Sequence, residues 1–225
     1  MTASLLSLLH LCDSLFPLGA FAHSDGLEAA VHAGLVSNAA DLDAWLTACL
    51  DEVIGRGEGP AVAAAWTAAR AGDWEAIARL DRDLVAMRPA AESRAAMRTM
   101  GRRLIATWQT IHGGSASSGS ALLDAHGGAA LPVAFGIAAA SAGIDRHSAG
   151  EGYAYTRLAA SVSAAMRLMS IGQIEAHTLL ARIRRRIPAV VDELERRGAL
   201  PESFTPMLDI MTMTHRAVHS RLFRS

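Results

Sequence analysis

Five side chains early in the sequence could transfer protons or hold a metal ion. They lie within the run DSLFPLGAFAHSDGLE at residues 13–28 and are Asp13, Ser14, His23, Ser24 and Glu28. Carboxylate, imidazole and hydroxyl groups are the usual participants in general acid–base and nucleophilic catalysis. His23 and Ser24 are neighbours, which point about 100° apart on a helix, so they do not form a nucleophile and base by themselves. A metal-dependent enzyme that uses His23 and Glu28 is therefore an alternative and not the leading interpretation.

Two histidines later in the chain offer a second candidate for metal binding. His215 and His219 stand four residues apart in a segment predicted to be the last helix. This spacing allows two imidazoles to share one metal ion. His215 also falls on the apolar line of the predicted helix, which favours a packed core histidine instead.

The basic side chains are all arginine: there are 21 of them and no lysine, against 22 acidic residues. A chain without lysine cannot form a Schiff base or place a P-loop lysine on a nucleotide phosphate. The net charge of -1, with no aromatic residue inside the arginine-rich run at 182–186, argues against nucleic-acid binding. If the function involves nucleotide hydrolysis, a partner must perform it.

Composition predicts the elements that position these groups. Alanine occupies 46 of the 225 positions and β-branched residues do not form runs, so helix propensity dominates. Apolar residues recur at steps of three and four over about 90–112, which predicts one long helix. Ser37 or Asn38, followed by Asp41, predicts the start of another. We expect an all-α fold, a single-domain helical bundle of about ten helices over residues 1–225.

The first candidate group lies at a strongly specified turn. Pro17 and Gly19 interrupt helix formation and predict a fixed turn, after which a new helix begins near Phe21. The primary role of such a turn is structural. Any chemistry of His23 and Glu28 depends on how the turn presents them.

One uncharged stretch raises the question of whether the chain enters a membrane. Between Asp124 and Asp145 lie twenty uncharged residues, which is long enough to span a bilayer. They include Pro132 and many small residues, so a buried, tightly packed helix is favoured. The opening residues carry no positively charged region and do not form a signal peptide. With Cys12 and Cys49 predicted to be free thiols, we expect a cytoplasmic protein.

Four stretches of the chain together resemble the signature of the UreF family of urease accessory proteins. In chain order they are DSLFPLGAFAHSDGLE at 13–28, ESR and MGRRL within 92–104, PVAFG at 132–136 and AAMRLMSIGQ at 164–173. Their order and spread are far more specific than one short motif. One departure is Ser170, because the family usually has proline two residues before the glycine–glutamine pair, so the bend there is less tightly fixed.

The resemblance implies a helical, non-catalytic scaffold. Proteins of this family dimerise, bind the UreD/UreH accessory protein and recruit the GTPase UreG, which brings nickel to apo-urease. The expected partners are therefore a UreD/UreH-type protein, a UreG-type GTPase, apo-urease and a second copy of the chain, with no nucleic acid and no membrane. No cofactor would be tightly bound, although Ni²⁺ would pass through the complex. A nickel metallochaperone that uses His215 and His219 remains an alternative.

The resemblance also marks partner-binding or motif positions. They are Asp13, Ser14, Pro17, Gly19, Phe21, His23, Ser24, Glu28, Arg94, Gly101, Arg102, Arg167, Gly172 and Gln173. Pro17 and Gly19 are expected to fix the turn. His23, Ser24 and Glu28 are expected to contact a partner or to offer transient ligands to Ni²⁺, which accepts imidazole and carboxylate.

The arginines among these positions have two possible roles each. Arg94 and Arg102 are expected to pair with acids such as Glu92 or to lie at an interface. Arg167 and Gln173 are expected to bind helix-end carbonyl groups at the bend. An arginine finger from Arg167 that acts on a partner's GTP is the alternative.

Overall fold

The computed structural model describes residues 2–112, 127–198 and 200–224. Within these ranges every regular element is helical, which confirms the predicted all-α fold of about ten helices. The glycine- and serine-rich run at 112–120, which predicts a connector, lies outside the described residues except for His112.

The α-helices are labelled in chain order. They are α1 (Thr2–Leu11), α2 (Leu27–His32), α3 (Ala39–Ala48), α4 (Gly59–Ala71), α5 (Trp74–Ala86), α6 (Ala91–His112), α7 (Leu131–Ser141), α8 (Arg146–Leu168), α9 (Gln173–Ile183), α10 (Ile187–Arg197) and α11 (Pro206–Thr214). A π-helix at Cys49–Glu58 connects α3 to α4. Short 3-10 helices lie at Ala20–Ala22, Arg184–Arg186 and His215–Ala217.

Side-chain caps and glycines set several helix ends as predicted. The Oδ1 atom of Asn38 accepts hydrogen bonds from two backbone N–H groups in the first turn of α3. Gly72 ends α4 with a φ of 71°, and Asp73 caps the start of α5. The long helix predicted for residues 90–112 is α6.

The first hydrophobic core forms where α7 packs between α4 and α6. Gly136 lets two helix backbones approach, because a Cβ atom there would lie 2.5 Å from the carbonyl oxygen of Val62. The side chains of Val133 and Phe135 are buried, which confirms the buried helix predicted for the uncharged stretch. Among the described residues, no helix combines the length and the hydropathy needed to cross a membrane.

The second hydrophobic core lies among α2, α3, α8, α9 and α10, and it also contains Met211 and Phe223. Helix α8 belongs to both cores, because Tyr153 packs in the first and Leu158 in the second. Arg157 lies between these two residues on α8. It is the centre of a buried polar network.

Candidate functional site

The predicted turn is present between α1 and α2, in the segment that contains Pro17. The backbone of Gly19 has a φ of 76° and opens a short 3-10 helix. A Cβ atom at Gly19 would lie 2.4 Å from a guanidinium nitrogen of Arg103, so a larger residue would displace that side chain. Asp25 and Gly26 also have positive φ and lead directly into α2. The turn is therefore fixed by backbone conformation at both of its ends.

Glu28, on α2, holds the C-terminal segment of the chain and is only 4% exposed. One carboxylate oxygen accepts hydrogen bonds from Nε2 of His215 at 2.6 Å and from the N–H of Phe223 at 3.2 Å. The other oxygen accepts the N–H of Leu222 at 2.6 Å. Both oxygens of this buried carboxylate are thus occupied by donors from the C-terminal segment.

Arg167, at the end of α8, adds a second attachment. Its Nη1 atom donates a hydrogen bond to the carbonyl oxygen of Phe21 at 2.9 Å, and its guanidinium carbon lies 4.4 Å from the centre of the Phe223 ring. The N–H of Arg224 donates to the carbonyl oxygen of Ala22 at 2.8 Å. We name this set of contacts the tail clamp; it consists of Glu28, Arg167, His215, residues 222–224 and the carbonyl groups of Phe21 and Ala22.

A second buried carboxylate, Glu58, lies at the end of the π-helix and is 2% exposed. It accepts hydrogen bonds from the hydroxyl of Tyr153 at 2.8 Å and from Nε of Arg157 at 3.0 Å, and it pairs with Arg88. Arg157 also pairs with Asp25 at 2.7 Å. These five residues form the central network, which joins the turn to the π-helix and to α8.

Burial and the charges of neighbouring groups both shift pKa values in the central network. Burial alone would raise the pKa of Asp25, but the guanidinium groups of Arg157 and Arg88 outweigh it and hold that pKa below its usual range. Burial, assisted by the charge of Glu58, raises the pKa of Tyr153 well above its usual value. The hydroxyl of Tyr153 therefore stays protonated at neutral pH. It donates a hydrogen bond to Glu58.

A small cavity of about 30 Å³ lies beside the central network and is lined in part by Asp25, Cys49 and Arg157. This volume holds one or two water molecules and no organic cofactor. Cys49 and Cys12 are free thiols, and burial raises the pKa of each to about 12. Both thiols therefore stay protonated at neutral pH.

Comparison with known proteins relates this arrangement to one family. The sequence model of the UreF family matches residues 36–184. A urease accessory protein UreF from Methylibium petroleiphilum is 38% identical over 224 residues, which cover 99% of this chain and 94% of that protein. The chain belongs to the UreF family. Its resemblance to urease accessory proteins is thereby confirmed.

A second relative is longer than this chain. The bifunctional urease accessory protein UreEF from Bordetella bronchiseptica is 34% identical over 225 residues, which cover 98% of this chain and 52% of that protein. The chain therefore spans about half the length of this bifunctional relative. Both matches extend well beyond the region covered by the UreF family model, since they cover 99% and 98% of this chain.

Several of the predicted UreF signature residues come together at the turn. Phe21 and Glu28 take part in the tail clamp, and Ser24 is buried with its Oγ accepting the N–H of Glu28 at 3.4 Å. Burial lowers the pKa of His23, although Asp25 partly opposes this, so His23 is neutral at pH 7. These side chains organise the turn.

The first residues of the signature lie on the surface. Asp13 and Ser14 are exposed just after α1, and Oδ1 of Asp13 accepts the N–H of Leu15 at 2.8 Å. Pro17 is exposed at the bend that it was predicted to form. Their exposed positions indicate that these residues shape the turn or present it at the surface.

The signature residues of α6 have local packing roles. Arg94 donates hydrogen bonds to the carbonyl oxygens of Arg88 and Pro89 at 2.6 and 2.7 Å, in place of the expected ion pair with Glu92. These carbonyl groups follow α5 and lack helical partners, so they attract the guanidinium group. Arg94 thus fixes the connection between α5 and α6.

Gly101 and Arg102 support the segment that leads into α7. A Cβ atom at Gly101 would lie 2.1 Å from the carbonyl oxygen of Ala129, so glycine is required for this close approach. The side chain of Arg102 covers Gly128, which has a φ of 86°. Packing therefore explains why glycine and arginine stand next to each other in the signature.

The expectation for Arg167 and the bend after α8 needs correction. Arg167 donates to the carbonyl oxygen of Phe21, in the short 3-10 helix of the turn, and not to a carbonyl group at the bend after α8. Gly172 and Gln173 are exposed at the start of α9, where the carbonyl oxygen of Gly172 accepts the N–H of Ala176 at 2.9 Å. Arg167 and Gln173 are close in sequence, which suggested one site. Arg167 instead binds a segment that is distant in sequence.

The structure does not place the two histidines of the alternative metal pair, His215 and His219, on one helix. Helix α11 ends at Thr214, so His219 is not one turn further along the same helix as His215. His215 is 2% exposed and bonded to Glu28, which confirms the interpretation as a core histidine. Within residues 2–112, 127–198 and 200–224, no group of three or more His, Cys, Asp or Glu residues is placed to hold a metal ion.

Sequence reasoning missed the central network and the partner of Glu28. Asp25 stood inside the quoted signature, and a non-glycine residue beside Gly26 gave no sign of its positive φ of 50°. Glu58 lies in the run GRGEG at 55–59, whose glycines suggested a helix end and not a π-helix. An isolated acid within such a run is the signal that could have drawn attention to it.

The turn exposes large apolar side chains, while the polar side chains of Ser24 and Glu28 are buried. Leu15 is 86% and Phe21 77% exposed, and Leu222 of the tail clamp is also exposed. Large apolar side chains that project beside a fixed backbone are typical of protein interfaces. The arrangement supports docking of another protein on this side.

Proposed function

We propose that this chain is a non-catalytic scaffold in urease maturation. It binds a UreD/UreH-type accessory protein, recruits and regulates a UreG-type GTPase, and assists nickel insertion into apo-urease. It acts in the cytoplasm as one all-helical domain that pairs with a second copy, and Ni²⁺ is its cargo and not a resident cofactor. Membership of the UreF family supports this proposal, as does a lysine-free sequence that cannot form the P-loop of the GTPase itself.

The carrying observation is that the turn exposes large apolar side chains while the polar side chains of Ser24 and Glu28 are buried. Ser24 and Glu28 are buried and engaged by backbone and side-chain donors, so they lack the access that a substrate would need. Leu15 and Phe21 project outward and can be buried by a partner. This favours a docking surface over an enzyme that uses His23 and Glu28.

Regulation of a GTPase requires that the scaffold bind one nucleotide state of its partner more tightly than the other. Arg167 is engaged by Phe21 and by the ring of Phe223, so it would have to leave the tail clamp to act as an arginine finger. We therefore favour coupling through the shape of the docked surface. The arginine-finger alternative requires release of the tail.

The bifunctional relative gives independent support for a role among accessory proteins. Its name assigns two accessory functions to one chain, and this protein corresponds to about half of that chain. Joining two proteins in one chain raises their effective concentration for each other. That arrangement is useful when the two parts work in the same assembly.

Reconstitution with the partner proteins tests the proposal. Size-exclusion chromatography with the UreD/UreH-type and UreG-type proteins, Ni²⁺ and either GTP or GDP should give a complex that contains this chain. Activation of apo-urease should fail when the chain is omitted. The absence of both a complex and an effect on activation would show that the scaffold role is wrong.

Variants of the turn test the docking surface separately. Leu15→Ala and Phe21→Ala should weaken co-elution, because each removes exposed apolar area that a partner would bury. Leu35→Ala is the matched control, since Leu35 is an exposed leucine between α2 and α3. Equal co-elution of folded Leu15→Ala, Phe21→Ala and control proteins would place the docking surface elsewhere and leave the scaffold role to the reconstitution.

A further inference from the structure

Two exposed histidines that are far apart in sequence lie side by side in the fold. His10 stands in the last turn of α1 and His112 is the last residue of α6. Their ring centres are 5.8 Å apart, and both residues are exposed. Neither belongs to the tail clamp, to the central network or to the predicted signature positions.

The separation of the two rings suits a shared metal ion. Such an ion binds an imidazole nitrogen at about 2.0–2.1 Å, so the ring centre lies roughly 3.2 Å from the ion. Two imidazoles on one ion then have ring centres roughly 4.5–6.5 Å apart, depending on the angle between them. The observed 5.8 Å falls within this interval.

Aromatic neighbours hold both rings in place. His112 packs on Trp108 with ring centres 4.0 Å apart, and His10 meets Phe16 edge to face at 5.4 Å. Trp108 is buried and donates a hydrogen bond to Oγ of Ser141 at 3.0 Å, so it forms a fixed platform. In the described part of the chain, neither imidazole takes part in a hydrogen bond or ion pair. Their nitrogen lone pairs are available to a metal ion.

We propose that His10 and His112 form a binding site for one divalent transition-metal ion of the class that prefers imidazole, which includes Ni²⁺, Cu²⁺ and Zn²⁺. No third His, Cys, Asp or Glu of the described residues completes a larger site. Two ligands with open positions favour reversible binding over permanent storage. The proposal needs only this chain and does not rest on the scaffold role.

Calorimetric titration of the tag-free chain with NiCl₂ tests the site. We expect one ion per chain, with an affinity that falls at least about tenfold in both His10→Ala and His112→Ala. His177→Ala is the matched control, because His177 is an exposed histidine on another helix, α9. Its affinity for Ni²⁺ should equal that of the unmodified chain.

A spectroscopic measurement separates ligation from any effect on folding. The electron paramagnetic resonance spectrum of the Cu²⁺-loaded chain should show two imidazole nitrogen ligands, and each single variant should lose one of them. Circular dichroism should be unchanged, because both side chains are exposed. Equal affinity in all proteins, loss in only one of the two variants, equal loss in His177→Ala, or no binding of one ion by the unmodified chain would overturn the proposal.

Discussion

Two buried glutamates hold different parts of this molecule together. Glu58 bonds to side chains alone, and its partners in the central network come from α8 and from the segment after α5. Glu28 bonds to one side chain, that of His215, and to two backbone N–H groups near the end of the chain. The same residue type therefore fixes helix packing in one place and a chain end in the other.

The difference predicts two kinds of instability. The guanidinium groups around Glu58 are largely buried while the helices stay packed, so loss of the Glu58 charge is expected to lower the stability of the whole fold. The donors around Glu28 belong to a segment that can detach and become solvated by itself. Loss of the Glu28 carboxylate should therefore lower the free energy of local opening of this segment.

The largest effect is expected for Glu58→Gln. This change keeps the shape of the side chain but leaves Arg88 and Arg157 with less compensating charge in a buried site. The free energy of unfolding should fall by about 3–5 kcal/mol, measured by urea denaturation. Glu75→Gln is the control, because Glu75 forms an exposed ion pair with Arg79 and its loss should matter little. A similar effect of the two variants would remove the distinction between buried and exposed pairs.

Glu28→Gln should have a smaller and more local effect. The amide nitrogen of glutamine does not accept hydrogen bonds, so at least one of the three donors loses its acceptor. We expect opening of residues 215–224 to become easier by about 1–3 kcal/mol. Hydrogen exchange measured by mass spectrometry should accelerate in this segment and stay unchanged in α7. Acceleration throughout the chain would show that the tail clamp is part of the global core.

Arg167→Lys should weaken the tail clamp less than Glu28→Gln does. Lysine keeps the charge but loses the planar group that bonds to Phe21 and packs on Phe223. Exchange of residues 222–224 should become easier by about 0.5–1 kcal/mol. Arg216→Lys changes an exposed arginine near the same segment and serves as the control. No difference between these two variants would show that Arg167 does not help to hold the segment.

The smallest effect is expected at His147, which belongs to a more exposed ionic site. This site is a useful reference for the buried glutamates Glu28 and Glu58. Burial lowers the pKa of His147, but the hydrogen bond to Glu195 and the charges of Glu151 and Glu195 raise it above 6.5 overall. A raised pKa contributes stability below about pH 6.5, and this contribution is lost as the pH rises through the folded-state value. His147→Gln should therefore destabilise the protein at pH 5.5 and have little effect at pH 9.

Urea denaturation across this pH range measures the effect of His147→Gln. His32→Gln, which changes an exposed histidine on α2, corrects for general effects of pH. A difference between His147→Gln and the unmodified chain that grows with pH would contradict the assignment.

Much of the fold followed from local sequence patterns. Asn38 and Gly72 mark helix ends because capping depends on a few neighbouring residues, and α6 follows from a regular apolar stripe. Pro17 and Gly19 predicted the turn for the same reason. In each case the physical cause lies within a few residues of its effect.

The tail clamp and the central network depend on contacts that no local pattern contains. The sequence predicted a last helix that includes His215 and His219, yet the chain leaves the helix at Thr214. The N–H groups of Leu222 and Phe223 find their acceptor in Glu28, so they need no helical carbonyl groups. The pair His10 and His112 was missed for the same reason, since only the fold brings α1 and α6 together.

The contact between Arg224 and Ala22 has a practical consequence for protein engineering. Because the last described residue lies against the turn, an affinity tag or fluorescent protein joined after it starts beside Phe21 and crowds that surface. A compact dye at the same position would instead report on its neighbourhood. Paired with a second dye near Leu15, it would measure by energy transfer whether the chain end stays attached while an assembly forms.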